Sequence, residues 1–110
     1  MINIIRSEKE VREYILGIKK LFELYKVTDK FNMRENALNS KLKHIISNLD
    51  KNEDYNKETL KGKILREHIL EDKNLEDIAI ETRYSVSYIY AQKLKILKEF
   101  AAMVFEVIIL

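Results

Sequence analysis

The chain has 110 residues, no cysteine, no proline, two glycines and a formal net charge of +2. That length suits one compact domain or a small binding unit with a helical extension, and the lack of cysteine excludes disulfides, thiolate metal sites and thiol nucleophiles. A charge so near balance does not mark a nucleic-acid binder, so any electrostatic reading rests on how the charges are distributed.

Abundant Lys, Glu, Leu and Ile with almost no Gly or Pro predict an all-α fold. Ser7 and Glu10 have the spacing of a capping box. Val11, Tyr14, Ile15, Ile18, Leu21, Phe22 and Tyr25 then recur at three- and four-residue steps, which predicts a first amphipathic helix. Its stripe also fits a coiled-coil seam for about two heptads, and packing within the chain is the preferred reading. A second helix is expected to open at Thr28 or Asp29 and run to about Leu49, with Phe31, Leu38, Leu42, Ile45, Ile46 and Leu49 on its apolar face. The two should form an antiparallel hairpin. The Asn- and Asp-rich stretch 50–57 has no apolar period and reads as a loop. It divides a helical hairpin over residues 1–52, serving packing or oligomerisation, from a unit over residues 55–110.

In that second unit Leu60, Ile64, Leu65 and Ile69 mark a third helix. Asn74 is placed to cap a short helix over Leu75 to Thr82, and Ser85 to cap a long one from Val86. A short helix, a three-residue turn and a capped second helix make the pattern of a helix-turn-helix. Small Ala79 stands where the first helix must approach the second, and Ile78, Tyr84 and Ile89 are expected to supply the wedge of core between them.

Charge changes sign across the turn. Glu71, Asp72, Glu76, Asp77 and Glu81 precede it, whereas Arg83, Lys93, Lys95 and Lys98 follow with no acid before Glu99. If Ile89, Ile96 and Phe100 face the core, a rotation of about 100° per residue puts Ser87, Tyr90, Ala91, Leu94, Lys95 and Lys98 on the outer face. That face, Leu94 included and with Ser85 at its start, is expected to meet the major groove: Val86, Ser87, Tyr90 and Ala91 are candidates for reading base edges, and Arg83, Lys95 and Lys98 for holding phosphates. Lys93 falls near the inner face. For Tyr90 ordinary surface packing accounts for the residue equally well, and for Tyr88 better.

With Ser85, Ile89, Tyr90, Lys93, Leu97, Phe100 and Ala101 in this arrangement, residues 58–101 resemble region four of bacterial sigma factors. They resemble more closely the phage late-gene transcriptional regulators of the ArpU and RinA type. The resemblance implies a sigma-like helix-turn-helix with a long C-terminal recognition helix that binds double-stranded DNA and acts with RNA polymerase. Arg83 stands where these proteins usually have glycine, and Thr82 where they have leucine. Arg83 is therefore expected in the left-handed region at roughly 1 kcal/mol or more. Two other classes stay open: an interaction protein that binds RNA polymerase or a sigma partner without specific DNA contact, and a phage DNA-packaging subunit.

The sequence has no glycine-rich phosphate loop, nucleophile motif or carboxylate pair spaced for acid-base work, so neither enzymatic activity nor a cofactor is expected. His68 with Asp72 near Glu67 and Glu71, and His44 alone, are too sparse to predict a metal site. The stretch from Phe100 to Leu110 reads as helix that is apolar on nearly every side and must be covered by the N-terminal hairpin or by a second copy. Phe105, Ile108, Ile109 and Leu110 are the candidate homodimer contacts. Met1–Arg6 is too short for a signal-peptide core and the apolar end is about half of the roughly 20 residues that span a bilayer, so a soluble cytoplasmic protein is expected.

Overall fold

The computed structural model describes residues 3–31 and 37–109, and for residues 28–31 the backbone alone. Its elements in chain order are β1 (Asn3–Ile5), α1 (Glu8–Phe31), α2 (Ala37–Ser47), a 3₁₀ turn (Leu49–Lys51), α3 (Leu60–Lys63) continued by π-helical turns (Ile64–Leu70), α4 (Leu75–Thr82), α5 (Val86–Phe105) and β2 (Val107–Ile109). The fold is predominantly helical, as the composition predicts. Two compact units are formed, one by Met1–Ile46 with Leu97–Leu110, the other by Ser47–Ile96. This differs from the sequence division at 52–55, because the end of α5 and β2 group with the N-terminal elements.

In the first unit α1 opens at Glu8, and the Ser7 carbonyl accepts a hydrogen bond from the Val11 N–H at 3.0 Å. Ile18, Leu21 and Phe22 are buried, and the Phe22 ring tilts against Phe100 with centroids 5.4 Å apart. The helix continues to Phe31, so the break expected near Thr28 is absent. Thr28 and Asp29 are only mildly unfavourable inside a helix, and no Gly or Pro stands there to stop it. Phe31 thus belongs to α1 and not to the second helix, and its side chain lies outside the described residues, as does the connection of the expected hairpin. On α2, Leu42 is buried and Ile45 and Ile46 are half-buried, whereas Leu38 is exposed; Leu49 falls beyond the helix, buried in the 3₁₀ turn.

The C-terminal end corrects a second expectation. The helix stops at Phe105, Glu106 takes φ 56°, and Val107–Ile109 runs parallel to β1 in the register Asn3 with Val107, Ile4 with Ile108, Ile5 with Ile109. Val107, Ile108 and Ile109 are all β-branched, which favours an extended backbone once a partner strand is present. The tail is therefore not a helix with every face apolar. Ile5 and Val107 are buried, Ile109 is half-buried, and Ile4 and Ile108 are exposed. Phe105 packs over Gly17, where an added Cβ would lie 3.5 Å from the ring, and tilts against Tyr14 at 5.8 Å. Phe105 and Ile109 thus have cover within the chain, which removes the reason for assigning them to a dimer contact; Leu110 lies outside the described residues. Lys41 pairs with Glu106 at 2.6 Å and holds that carboxyl below its usual range.

In the second unit the segment before α3 folds down onto the helix start. The Thr59 hydroxyl caps α3 by accepting from the Gly62 N–H at 3.0 Å, and Tyr55 is buried with Lys61 over its ring. From Ile64 the winding widens to π, which the apolar spacing did not foretell. Residues four and five apart then share a side, and Ile64, Leu65 and Ile69 are buried together. The turn closes at Asp72, with φ 61°, and the Lys73 N–H donates to the Glu67 carbonyl at 2.8 Å.

Candidate nucleic-acid interface

The segment from Asn74 to Ile96 lies within one unit and is set by local chemistry at three points. The Asn74 side chain accepts from the Glu76 N–H at 3.0 Å and starts α4, whose Leu75, Ile78 and Ala79 are buried. α4 ends at Arg83 with φ 64° and ψ 20°, the left-handed conformation expected from the sequence. Thr82 donates its hydroxyl to the Ile78 carbonyl at 2.7 Å, which satisfies the polar side chain in the last turn of α4. The Ser85 hydroxyl accepts from the Tyr88 N–H at 3.1 Å and starts α5. Helix, three-residue turn and helix follow in the expected order.

Ala79 is 4% exposed, so a larger side chain has nowhere to go. Ala79→Leu is expected to cost roughly 1 to 3 kcal/mol through overpacking, read as a lower melting temperature. An unchanged midpoint would mean that α4 has slack against its neighbours.

Along α5 the buried side is Ile89, Ile96, Leu97 and Phe100. Opposite it, Ser87, Tyr90, Ala91, Leu94 and Lys95 are exposed, as are Arg83, Ser85 and Val86 around the turn. Lys93 is half-buried, as its wheel position implies. Lys98 is half-buried and lies on the stretch of α5 that groups with the other unit. One core assignment fails. Tyr84 is 49% exposed, and its ring sits 4.8 Å from that of Tyr88 instead of filling the wedge. The turn carries the Tyr84 side chain outward, where it borders a groove of about 310 Å³ lined also by Lys57, Thr59, Lys63 and Thr82. Ile80 is more exposed still, at 76%. Neither exposure was foreseen.

The acids before the turn are partly neutralised by the unit's own cations. Glu67 meets Lys63 at 2.8 Å and Lys73 at 2.9 Å, while Glu81 meets Lys73 and, at 3.0 Å, Lys63. These shared hydrogen bonds hold both carboxyls below their usual range and push both lysines up. The Lys63–Glu67 pair was visible as an i,i+4 spacing, but its link to Glu81 needed the tertiary fold.

His68 is engaged through Nδ1 with the Lys73 carbonyl at 2.6 Å. Among the described residues no three His, Cys, Asp or Glu side chains are grouped to hold a metal, and no helix is long and apolar enough to cross a membrane. No protein-family model matches the chain, and no match was found among curated proteins or solved structures. The functional reading therefore stands on the arrangement of Asn74 to Ile96 itself.

Proposed function

We propose that the chain is a non-catalytic, sequence-specific binder of double-stranded DNA that regulates transcription in the cytoplasm, alongside RNA polymerase, in the manner of the phage regulators it resembles. In this reading α4, the Arg83 turn and α5 act as a helix-turn-helix with the start of α5 in the major groove. The observation that carries it is the outer face of α5. From Val86 to Lys98 it presents hydroxyl, apolar and lysine side chains and no acid, directly after a left-handed turn that exposes Arg83. Lys95 and Arg83 serve phosphates, Lys98 one turn further does the same, and the first turns meet base edges.

Lys95→Ala and Lys98→Ala are each expected to weaken binding about equally on all DNA sequences and to lower the salt slope by up to about one unit, since each phosphate contact releases counterions. Titration at several salt concentrations reads this directly, and an unchanged slope in both variants would reject this docking face.

A homodimer belongs to the same proposal, because two-fold pairing would present two such helices to half-sites roughly 34 Å apart. With Phe105 and Ile109 engaged within the chain, the contacts are assigned to the exposed Ile108 and its neighbour Ile4. Ile108→Lys is expected to shift sedimentation from dimer to monomer; a wild-type monomer at tens of micromolar would remove the dimer from the reading.

A second reading is favoured by one observation. Ile80, Tyr84 and Tyr88 are all exposed and the two tyrosine rings lie 4.8 Å apart, and exposed apolar side chains of this kind fit an interaction protein contacting RNA polymerase, a sigma partner or a packaging assembly. RNA polymerase or sigma binding that survives Lys95→Ala and Lys98→Ala but fails on Tyr84→Ser, with no duplex bound by the wild-type chain, would favour that alternative.

A further inference from the structure

We propose that the exposed side of α5 recognises the 5-methyl groups of thymine, so that the bound sequence is rich in T·A pairs where the helix meets the major groove. This inference rests on the DNA-binding reading and adds to it the chemical class of site that is read.

In the major groove guanine is read best by Arg or Lys, adenine by Asn or Gln, and cytosine by a carboxylate, whereas thymine alone offers an apolar group. Between Val86 and Ala91 there is no Arg, Lys, Asn, Gln, Asp or Glu. Gln92 is half-buried, whereas its neighbour Ala91 and Leu94 beyond it are exposed. What the helix shows outward is Val86 at 38% exposure, Tyr90 at 54%, Leu94 at 44%, and the small side chains of Ser87 and Ala91. Ser87, Ala91 and Leu94 fall at i, i+4 and i+7, on one line facing away from the core. The small pair lets the backbone approach the groove floor, and Leu94 then supplies apolar surface at methyl depth.

Charge complementarity names the occupant. The apolar line is bordered by Arg83 at the turn and Lys95 on α5, and no acid interrupts α5 before Glu99. A purely apolar protein partner gains nothing from a cation at the N-terminal end of that line and another beside it. A duplex has phosphates on both sides of a groove whose floor, at T·A pairs, carries methyl groups.

The test uses the full chain and a duplex selected from a random pool. Every thymine of the selected site is replaced by deoxyuridine, which removes the methyl and keeps the base pair. An affinity loss of about tenfold or more is expected, from several methyl contacts each worth a fraction of a buried methylene. In Leu94→Ala, a surface change that leaves the core intact, the thymine-to-uracil ratio is expected to shrink towards one. Equal binding of the thymine and uracil duplexes by the wild-type chain would overturn the proposal and leave the DNA reading standing. If no duplex of any sequence is bound above the nonspecific level, the DNA reading falls and the inference with it.

Discussion

Gly62→Ala is expected to lower the stability of the unit around α3 by about 3 kcal/mol, the upper end of what overpacking a filled site typically costs. Gly62 is buried one turn into α3, where the incoming chain crosses it. An added Cβ would overlap the Asn56 carbonyl oxygen, and would stand 2.7 Å from the Tyr55 carbonyl and 2.8 Å from the Thr59 hydroxyl. The nearest obstacles are backbone, so no rotamer change relieves them. The segment 55–59 must lift, and with it goes the Thr59 cap and the seating of the buried Tyr55. Alanine has the better intrinsic helix propensity by up to about 1 kcal/mol, so the substitution sets propensity against contact, and contact is the larger effect. Urea unfolding followed by helical signal measures the result. A variant as stable as wild type would show that segment 55–59 is not held against α3.

The second large effect is expected at Phe100. Its side chain is fully buried and its ring meets that of Phe22 in a tilted arrangement at 5.4 Å. Phe100→Ala removes that ring contact, worth about 0.5 to 1.5 kcal/mol beyond area, and leaves a void among residues that cannot all collapse into it; a total of about 3 to 5 kcal/mol follows. The loss is expected as a lower urea midpoint with little change in slope. A loss below about 1 kcal/mol would mean that α1 closes onto the end of α5 without the ring.

What was legible in the sequence follows the range of the interactions. Asn74, Arg83 and Ser85 act on groups within three residues of themselves, and each does in the structure what its position predicts: two caps and a left-handed turn. The wheel of α5 was equally legible, because Ile89, Ile96 and Phe100 repeat at helical spacing. The end of α1 was misplaced because Thr28 and Asp29 suit a helix start as well as an interior, and no strong stop signal decided between them. Tyr84 is expected in the core wedge between the two helices, but the left-handed residue before it turns its side chain out to Tyr88. β2 was hidden because three β-branched residues after a helix prolong its apolar pattern, and only β1, far away in sequence, reveals them as a strand.

That pairing has a consequence for how the chain reaches its folded state. Ile5 and Ile109 meet across about a hundred intervening positions, and joining ends so far apart carries a closure entropy that only contacts already made in between can offset. Once α1 and the end of α5 have docked through contacts such as Phe22 with Phe100, β1 and β2 lie near each other and zip at small further cost. Two strands of three residues each hold little apart from that docking, and their amide hydrogens are expected to exchange ahead of those in α5, as hydrogen exchange would show.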